Sequence, residues 1–183
     1  MRTSRELRRI AVIGAGAAGR DLALRCVASG FDVILEDVMP SRLRNAQQTI
    51  ASQTHSGALQ IASTVEDAVR DADLVIDFVP DELESKLEIF SMLDRMAPPR
   101  TLLVTPMTAM SIADLAACTY RPQLCFALHF ESADSTILIR TSQSSSDAVH
   151  SASAWLNTMG FNVTVRNDPA EAEKQSGQRR DLH

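Results

Sequence analysis

No stretch of this chain carries enough consecutive apolar residues to cross a bilayer as a helix, so no membrane partner is expected. A basic cluster is missing too. The 18 Lys and Arg are scattered among 23 Asp and Glu, leaving a net charge of −5, which argues against nucleic acid as the main partner. The basic start, MRTSRELRR, runs into no apolar signal-peptide core. Cysteine is sparse: Cys26, Cys118 and Cys125 have no metal-ligand spacing and lie in apolar stretches. Buried thiols in a reducing cytoplasm are therefore expected, with no metal and no catalytic cysteine. There is no internal repeat, and Ser142 to Ser146 is the one low-complexity patch, as suits a surface loop. What remains is ordinary: 183 residues, 45% hydrophobic and 22% charged, enough for one domain with a sizeable core.

Within that composition, one stretch organises the chain. Arg9 to Ile13 is an apolar run of strand type that leads directly into Gly14-Ala15-Gly16-Ala17-Ala18-Gly19. Leu22, Ala23, Cys26 and Val27 then recur at helical spacing, Gly30 stops the helix, and Phe31 to Leu35 is a second strand ending in Glu36-Asp37. A dinucleotide site needs this order. Gly14 permits the tight turn, Gly16 lets backbone approach a pyrophosphate, and Gly19 lets the helix pack on the strand. The helix N-terminus offers unpaired N–H groups to phosphate, and Asp37 would accept from the adenosine ribose hydroxyls. Two acids at this point favour NAD over NADP by repelling a 2′-phosphate, although Arg42 and Arg44 lie close in sequence.

Downstream, the pattern predicts a helix over Pro40 to Gln53, a short strand over Ala58 to Ala62 and a helix from Thr64 through Arg70. Leu74 to Val79 reads as a buried strand, Leu83 to Met96 as an amphipathic helix stopped by Pro98-Pro99, and Thr101 to Thr105 as a strand closed by Pro106. A short helix follows over Ser111 to Cys118, then strands over Gln123 to Phe130 and Thr136 to Arg140. A helix to Met159 and a strand over Phe161 to Val165 complete the domain, residues 1–167. Residues 168–183 are polar and without apolar period, so a frayed tail is expected. Strands alternating with helices imply an α/β, doubly wound, mostly parallel sheet covered on both faces. Ligands of such sheets lie outside the carboxyl ends of the strands, a rule that gathers Gly14, Asp37, Val79, Pro106 and the end of the Gln123 strand on one rim.

Several segments together resemble the NAD-binding domain of the 3-hydroxyacyl-CoA dehydrogenases: the glycine turn, DADLVIDFVPDELESKLEIF, LDRMAPPRTLLVTPMTAMSIADLA and RPQLCFALHF. The likeness covers nearly all of Arg9 to Asp168. It implies a Rossmann-type domain that binds NAD and serves the oxidation of the 3-hydroxyl of acyl-CoA thioesters. Cofactor contacts would then fall on Gly14, Gly16, Ala17, Ala18, Gly19, Asp37, Val79, Pro80, Asp81, Lys86, Pro106 and Ser132. Without the resemblance, Lys86 reads as a solvated helix lysine.

The catalytic positions match less well. The family's NTSS loop reads Pro106-Met107-Thr108-Ala109, so its serine has become Thr108. His129 keeps the family's spacing from that loop and matches its catalytic histidine. The family's HFFNP reads His129-Phe130-Glu131-Ser132-Ala133, which replaces a cofactor-contacting asparagine with Ser132. The glutamate that partners the histidine falls at Arg140, or at Thr141 without a gap, and neither can take its part. Glu131 is the one nearby acid that would substitute. Phe78 stands where the family has a small residue. The segment between Asp37 and Ala72 is shorter than the family's CoA-binding arm, and the chain ends near where the family's all-helical second domain begins. The expected substrate is a 3-hydroxyacyl thioester or a smaller 3-hydroxy acid, acted on slowly, the alternative being a non-catalytic NAD-binding module that needs a partner chain. Trp155 and Met159, four apart on one helix, suggest a face for a homodimer or partner subunit.

Overall fold

The computed structural model describes residues 6–51, 56–106 and 110–171. Eight strands form one sheet in the order β3-β2-β1-β4-β5-β6-β7-β8. They are β1 (Arg9–Ile13), β2 (Asp32–Glu36), β3 (Leu59–Ile61), β4 (Leu74–Asp77), β5 (Leu102–Pro106), β6 (Cys125–Phe130), β7 (Ser135–Arg140) and β8 (Asn162–Asn167). The first six run parallel to one another. A tight turn over 131–134 makes β7 antiparallel to β6, and β8 then runs parallel to β7. The connection reverses direction between β1 and β4, so the switch point falls beside the glycine turn.

Helices cover both faces: α1 (Ala17–Ala28), α2 (Pro40–Ala51), α3 (Val65–Val69), α4 (Leu83–Met96), α5 (Ile112–Ala116) and α6 (Ser146–Thr158). The central strands are apolar throughout and divide their side chains between two cores. Ile10, Val12, Leu74, Ile76, Val104 and Phe126 meet α1 and α6, whereas Ala11, Ile13, Val75, Leu103 and Cys125 meet α3, α4 and α5. Side-chain caps start three helices: Thr64 accepts from Asp67 N, Ser111 from Ala113 N, and Ser145 from Ala148 N. At the other end of α4, Arg121 donates to the carbonyl oxygens of Asp94, Ala97 and Pro98, and its Nε lies 2.8 Å from Asp94 Oδ1. One buried guanidinium thus satisfies the carbonyls that Pro98-Pro99 leaves open.

Three expectations are corrected here. Trp155 and Met159 are core, at 2% and 4% exposure, because α6 turns that face onto the sheet; they offer no docking surface. Nor is the start of the tail frayed. Asp168 is buried, accepts hydrogen bonds from Ser111 Oγ (2.5 Å) and Ala113 N (2.9 Å), and donates its own N–H to Arg140 O. Glu171 Oε2 accepts from Ser142 N at 2.7 Å. Residues 172–183 and the end of the predicted Pro40 to Gln53 helix lie outside the described residues. Gln123 and Leu124, expected to begin a strand, lie instead in a single 3-10 turn, Pro122–Leu124, led by Pro122. Among the described residues no helix is long and apolar enough to cross a membrane.

The thiols divide cleanly. Burial pushes the Cys26 and Cys125 thiols up to about 12, whereas Cys118 is exposed and partial burial raises it. A thiolate is the reactive form. Titration of the native protein with a disulfide reagent near neutral pH should therefore modify Cys118 alone, and denaturant should release all three; fast reaction at Cys26 or Cys125 would contradict this core.

Candidate functional site

The glycine turn is shaped by contacts that leave no room for side chains. Gly14 has φ of +101°, and a Cβ there would also lie 3.1 Å from the Phe78 carbonyl. A Cβ at Gly19 would sit 1.9 Å from Gly14 O, so only glycine lets α1 start where it does. At Gly16 nothing lies within 4 Å of the same construction. That open space, at the N-terminus of a 12-residue helix with no acid in its first turn, fits a pyrophosphate. Ala17 and Ala18 are exposed on the same first turn.

Asp37 closes the turn from the other side. Its carboxylate is 8% exposed, accepts Ala15 N–H at 2.6 Å on Oδ2 and Met39 N–H at 2.7 Å on Oδ1, and meets Arg42 Nη1 at 3.3 Å. Both oxygens retain further lone pairs for hydroxyl donors. Glu36 belongs to β2 and shares the face of Ile34, away from this cluster; burial, and then the neighbouring Asp37, pushes its carboxyl up. Of the two acids, only Asp37 addresses the glycine turn.

Along the rim, Val79 and Pro106 are half-buried, and Pro80 and Asp81 are exposed beyond β4. Phe78 occupies the switch point. Its ring lies 3.2 Å from the Cβ position of Gly19 and lines a groove of about 360 Å³ with Ala18, Leu22, Phe130, Ser132 and Phe161. It therefore fills the α1 side of the cleft mouth, where a small residue would leave space. Arg25 braces this groove, donating to Ala133 O and Met159 O and lying 3.7 Å above the Phe161 ring.

Lys86 is neither solvated nor open to the cleft. It is 2% exposed, with Nζ 2.6 Å from Asp77 Oδ1 and 3.1 Å from Thr105 Oγ1. The solvated-lysine reading is thus corrected: α4 folds its first turn onto the ends of β4 and β5, and the ammonium pairs there. Desolvation pushes Asp77 up, and Lys86 opposes that shift. Sequence reasoning missed Asp77 and Thr105, although an acid inside the apolar run Leu74 to Val79 was the available signal.

His129 ends β6 with an exposed side chain. No carboxylate among the described residues lies in ion-pair range of it. Glu131 Oε2 accepts instead from Ser135 Oγ at 3.0 Å, because the 131–134 turn directs it along the hairpin. Arg140 Nε donates to Asn167 Oδ1, and Thr141 is buried beside Ser144. Ser132 Oγ donates to Asp134 Oδ1 at 2.8 Å in the same turn. Thr108 lies outside the described residues, so its distance to His129 is not part of this geometry. Among the described residues no three metal-ligating side chains converge.

Residues 9–168 match the family model of the 3-hydroxyacyl-CoA dehydrogenase NAD binding domain. A probable 3-hydroxybutyryl-CoA dehydrogenase of Bacillus subtilis is 31% identical over 141 residues, 68% of this chain and 49% of that protein. The 3-hydroxybutyryl-CoA dehydrogenase of Bradyrhizobium diazoefficiens is 30% identical over 139 residues, 68% of this chain and 47% of its own length. The chain thus spans about half the length of these curated relatives. Among solved structures, (S)-3-hydroxybutyryl-CoA dehydrogenase from Ralstonia eutropha superimposes with a TM-score of 0.78 at 22% identity, covering 89% of this chain and 64% of that one. That likeness bears on fold alone.

The two inner glycines give a discriminating pair of substitutions. Gly19→Ala should destabilise the domain by about 1–3 kcal/mol or more, through the overpacking of α1 on the turn. Gly16→Ala, with open space around it, should leave the melting temperature within a few degrees and yet weaken NADH binding at least about tenfold. Calorimetric melting and NADH titration of both variants check this.

Proposed function

Because this chain belongs to the 3-hydroxyacyl-CoA dehydrogenase family through its NAD-binding domain, we propose that it holds NAD across the β1–β4 switch point for the oxidation of a 3-hydroxyacyl thioester or smaller 3-hydroxy acid. The observation that carries this is the turn itself: a glycine cradle open only at Gly16, with Asp37 aimed back at it. NAD, when bound, supplies the acceptor for the hydride that leaves the hydroxyl-bearing carbon. The chain's own residues do the rest. The first turn of α1 would hold the pyrophosphate and Asp37 the ribose diol, with Val79, Pro80, Asp81, Pro106 and Ser132 bounding the nicotinamide end.

At the reacting hydroxyl, His129 would accept the proton, and Thr108 would orient the oxygen by hydrogen bonding. An exposed imidazole at the end of β6 supports the first role. Its lack of a carboxylate sets the expected rate. A charge-assisted partner contributes about 1.5–3 kcal/mol, so its loss slows turnover by roughly one to two decades. Substrate enclosure then rests on chain beyond the described residues or on a partner subunit, and its absence would cost part of an effective molarity that reaches ~10⁵–10⁸ M.

That same unpartnered histidine favours a second reading, an NAD-binding module that does no chemistry alone. NADH formation from 3-hydroxybutyryl-CoA by the wild type, His129→Ala and Thr108→Ala separates the two. The proposal expects slow wild-type turnover that falls at least about a hundredfold in His129→Ala. Saturable NADH binding with no turnover on any 3-hydroxy substrate leaves the binding module, and turnover unchanged in His129→Ala removes the histidine from the mechanism.

A further inference from the structure

We propose that β8 is an interaction surface for a second copy of this chain, the two β8 strands pairing antiparallel about a two-fold axis so that the sheet runs on from one copy into the other. The sheet has two edges, β3 and β8. An open edge is a template for another strand unless it is short, charged, bulged or broken by proline. β3 is protected by its length of three residues. β8 has little such protection. Its six residues, NVTVRN, pair with β7 in an unbroken register, contain no proline and carry one charge, at Arg166. All but Val163 are exposed, Val165 by 41%.

Backbone direction decides which groups are open. Asn162 N–H donates to Asp134 O at 2.7 Å and Asp168 N–H to Arg140 O at 2.8 Å, both on the β7 side. Backbone groups alternate in direction along a strand, so the N–H and C=O of Val163, Val165 and Asn167 point away from β7. Among the described residues no strand lies on that side. The strand is complementary to itself when reversed. An axis through Thr164 sets Val163 of each copy opposite Val165 of the other, and each such pair exchanges two hydrogen bonds through its outward groups. The same pairs join β-branched side chains on the face where Val163 already packs against the α1 and α6 core, and they cover Val165. Thr164 meets Thr164 on the axis, and Arg166 meets Asn162, so the one charge of the strand faces no like charge. A strand of another sequence would share the backbone bonds without this side-chain match.

Sedimentation of the full wild-type chain over a concentration series should show a monomer–dimer equilibrium. Val165→Pro removes an N–H that points away from β7 and so spares the β7–β8 ladder. Val165→Lys places a charge on the open edge with no change of backbone. Each should raise the dimer dissociation constant at least about tenfold, while circular dichroism shows the fold retained. Thr164→Cys, in a Cys118→Ser background that removes the exposed native thiol, should cross-link the dimer on treatment with diamide. Residues opposite one another in a non-hydrogen-bonded pair lie about 4.5 Å apart at Cα, within disulfide reach. A wild type that stays monomeric at high concentration overturns the inference. So does a dimer that neither Val165 variant weakens and that Thr164→Cys fails to cross-link, since its interface then lies elsewhere.

Discussion

The contact between Gly19 and the Gly14 carbonyl fixes more of this molecule than any side chain does. A methyl at Gly19 would be 1.9 Å from that oxygen, so helix α1 can begin against the end of β1 only because Gly19 lacks a side chain. From that start, α1 lays Leu22, Ala23, Cys26 and Val27 into the core beneath β1 and β2. Its N-terminus is thereby aimed at the switch point, and the hydrogen bond from Ala15 to Asp37 ties the end of β2 to the same turn. Binding geometry and fold share one constraint. A phosphate site built this way depends on backbone position, which tolerates wide change elsewhere in the sequence.

The two ends of the cleft therefore differ in how they are made. The adenosine end is backbone and one acid. The reacting end needs specific side chains in mutual reach. His129 stands near the end of β6 with no acid in ion-pair range among the described residues, because the 131–134 turn sends Glu131 to Ser135. Phe78 takes up space at the switch point, where its ring presses on α1. Cofactor binding is thus the more durable property of the fold and chemistry the more fragile one, since the first needs a turn and the second a constellation.

The elements of the fold were legible because each is written locally. The β4 run, the Pro98-Pro99 stop and the glycine turn all lie within a few residues of what they determine. What escaped was carried by contacts distant in sequence. Asp168 reads as the first residue of a polar tail, yet it caps α5 from 57 positions away. Trp155 and Met159 share a helix face, but periodicity does not say whether that face meets the sheet or solvent; the packing of α6 decides it. The direction of β7 was likewise open, since a four-residue turn fits a hairpin only after the strand ends are known.

Lys86 shows how a local pattern misleads in a physically instructive way. A lysine on an amphipathic helix is ordinarily solvated, and resemblance suggests a cofactor contact instead. The first does not describe an ammonium at 2% exposure bound to a carboxylate at 0%. Such a pair gains little net stability over apolar residues of the same volume, because both charges give up water. It does impose a condition that apolar contact cannot: α4 must dock with Lys86 opposite Asp77 and Thr105, or leave a buried charge unpaired. That condition holds the first turn of α4, and the Pro80-Asp81 loop before it, in one register against the ends of β4 and β5. A rim that must present a loop to a cofactor gains from such discrimination between registers even where the pair adds nothing to stability.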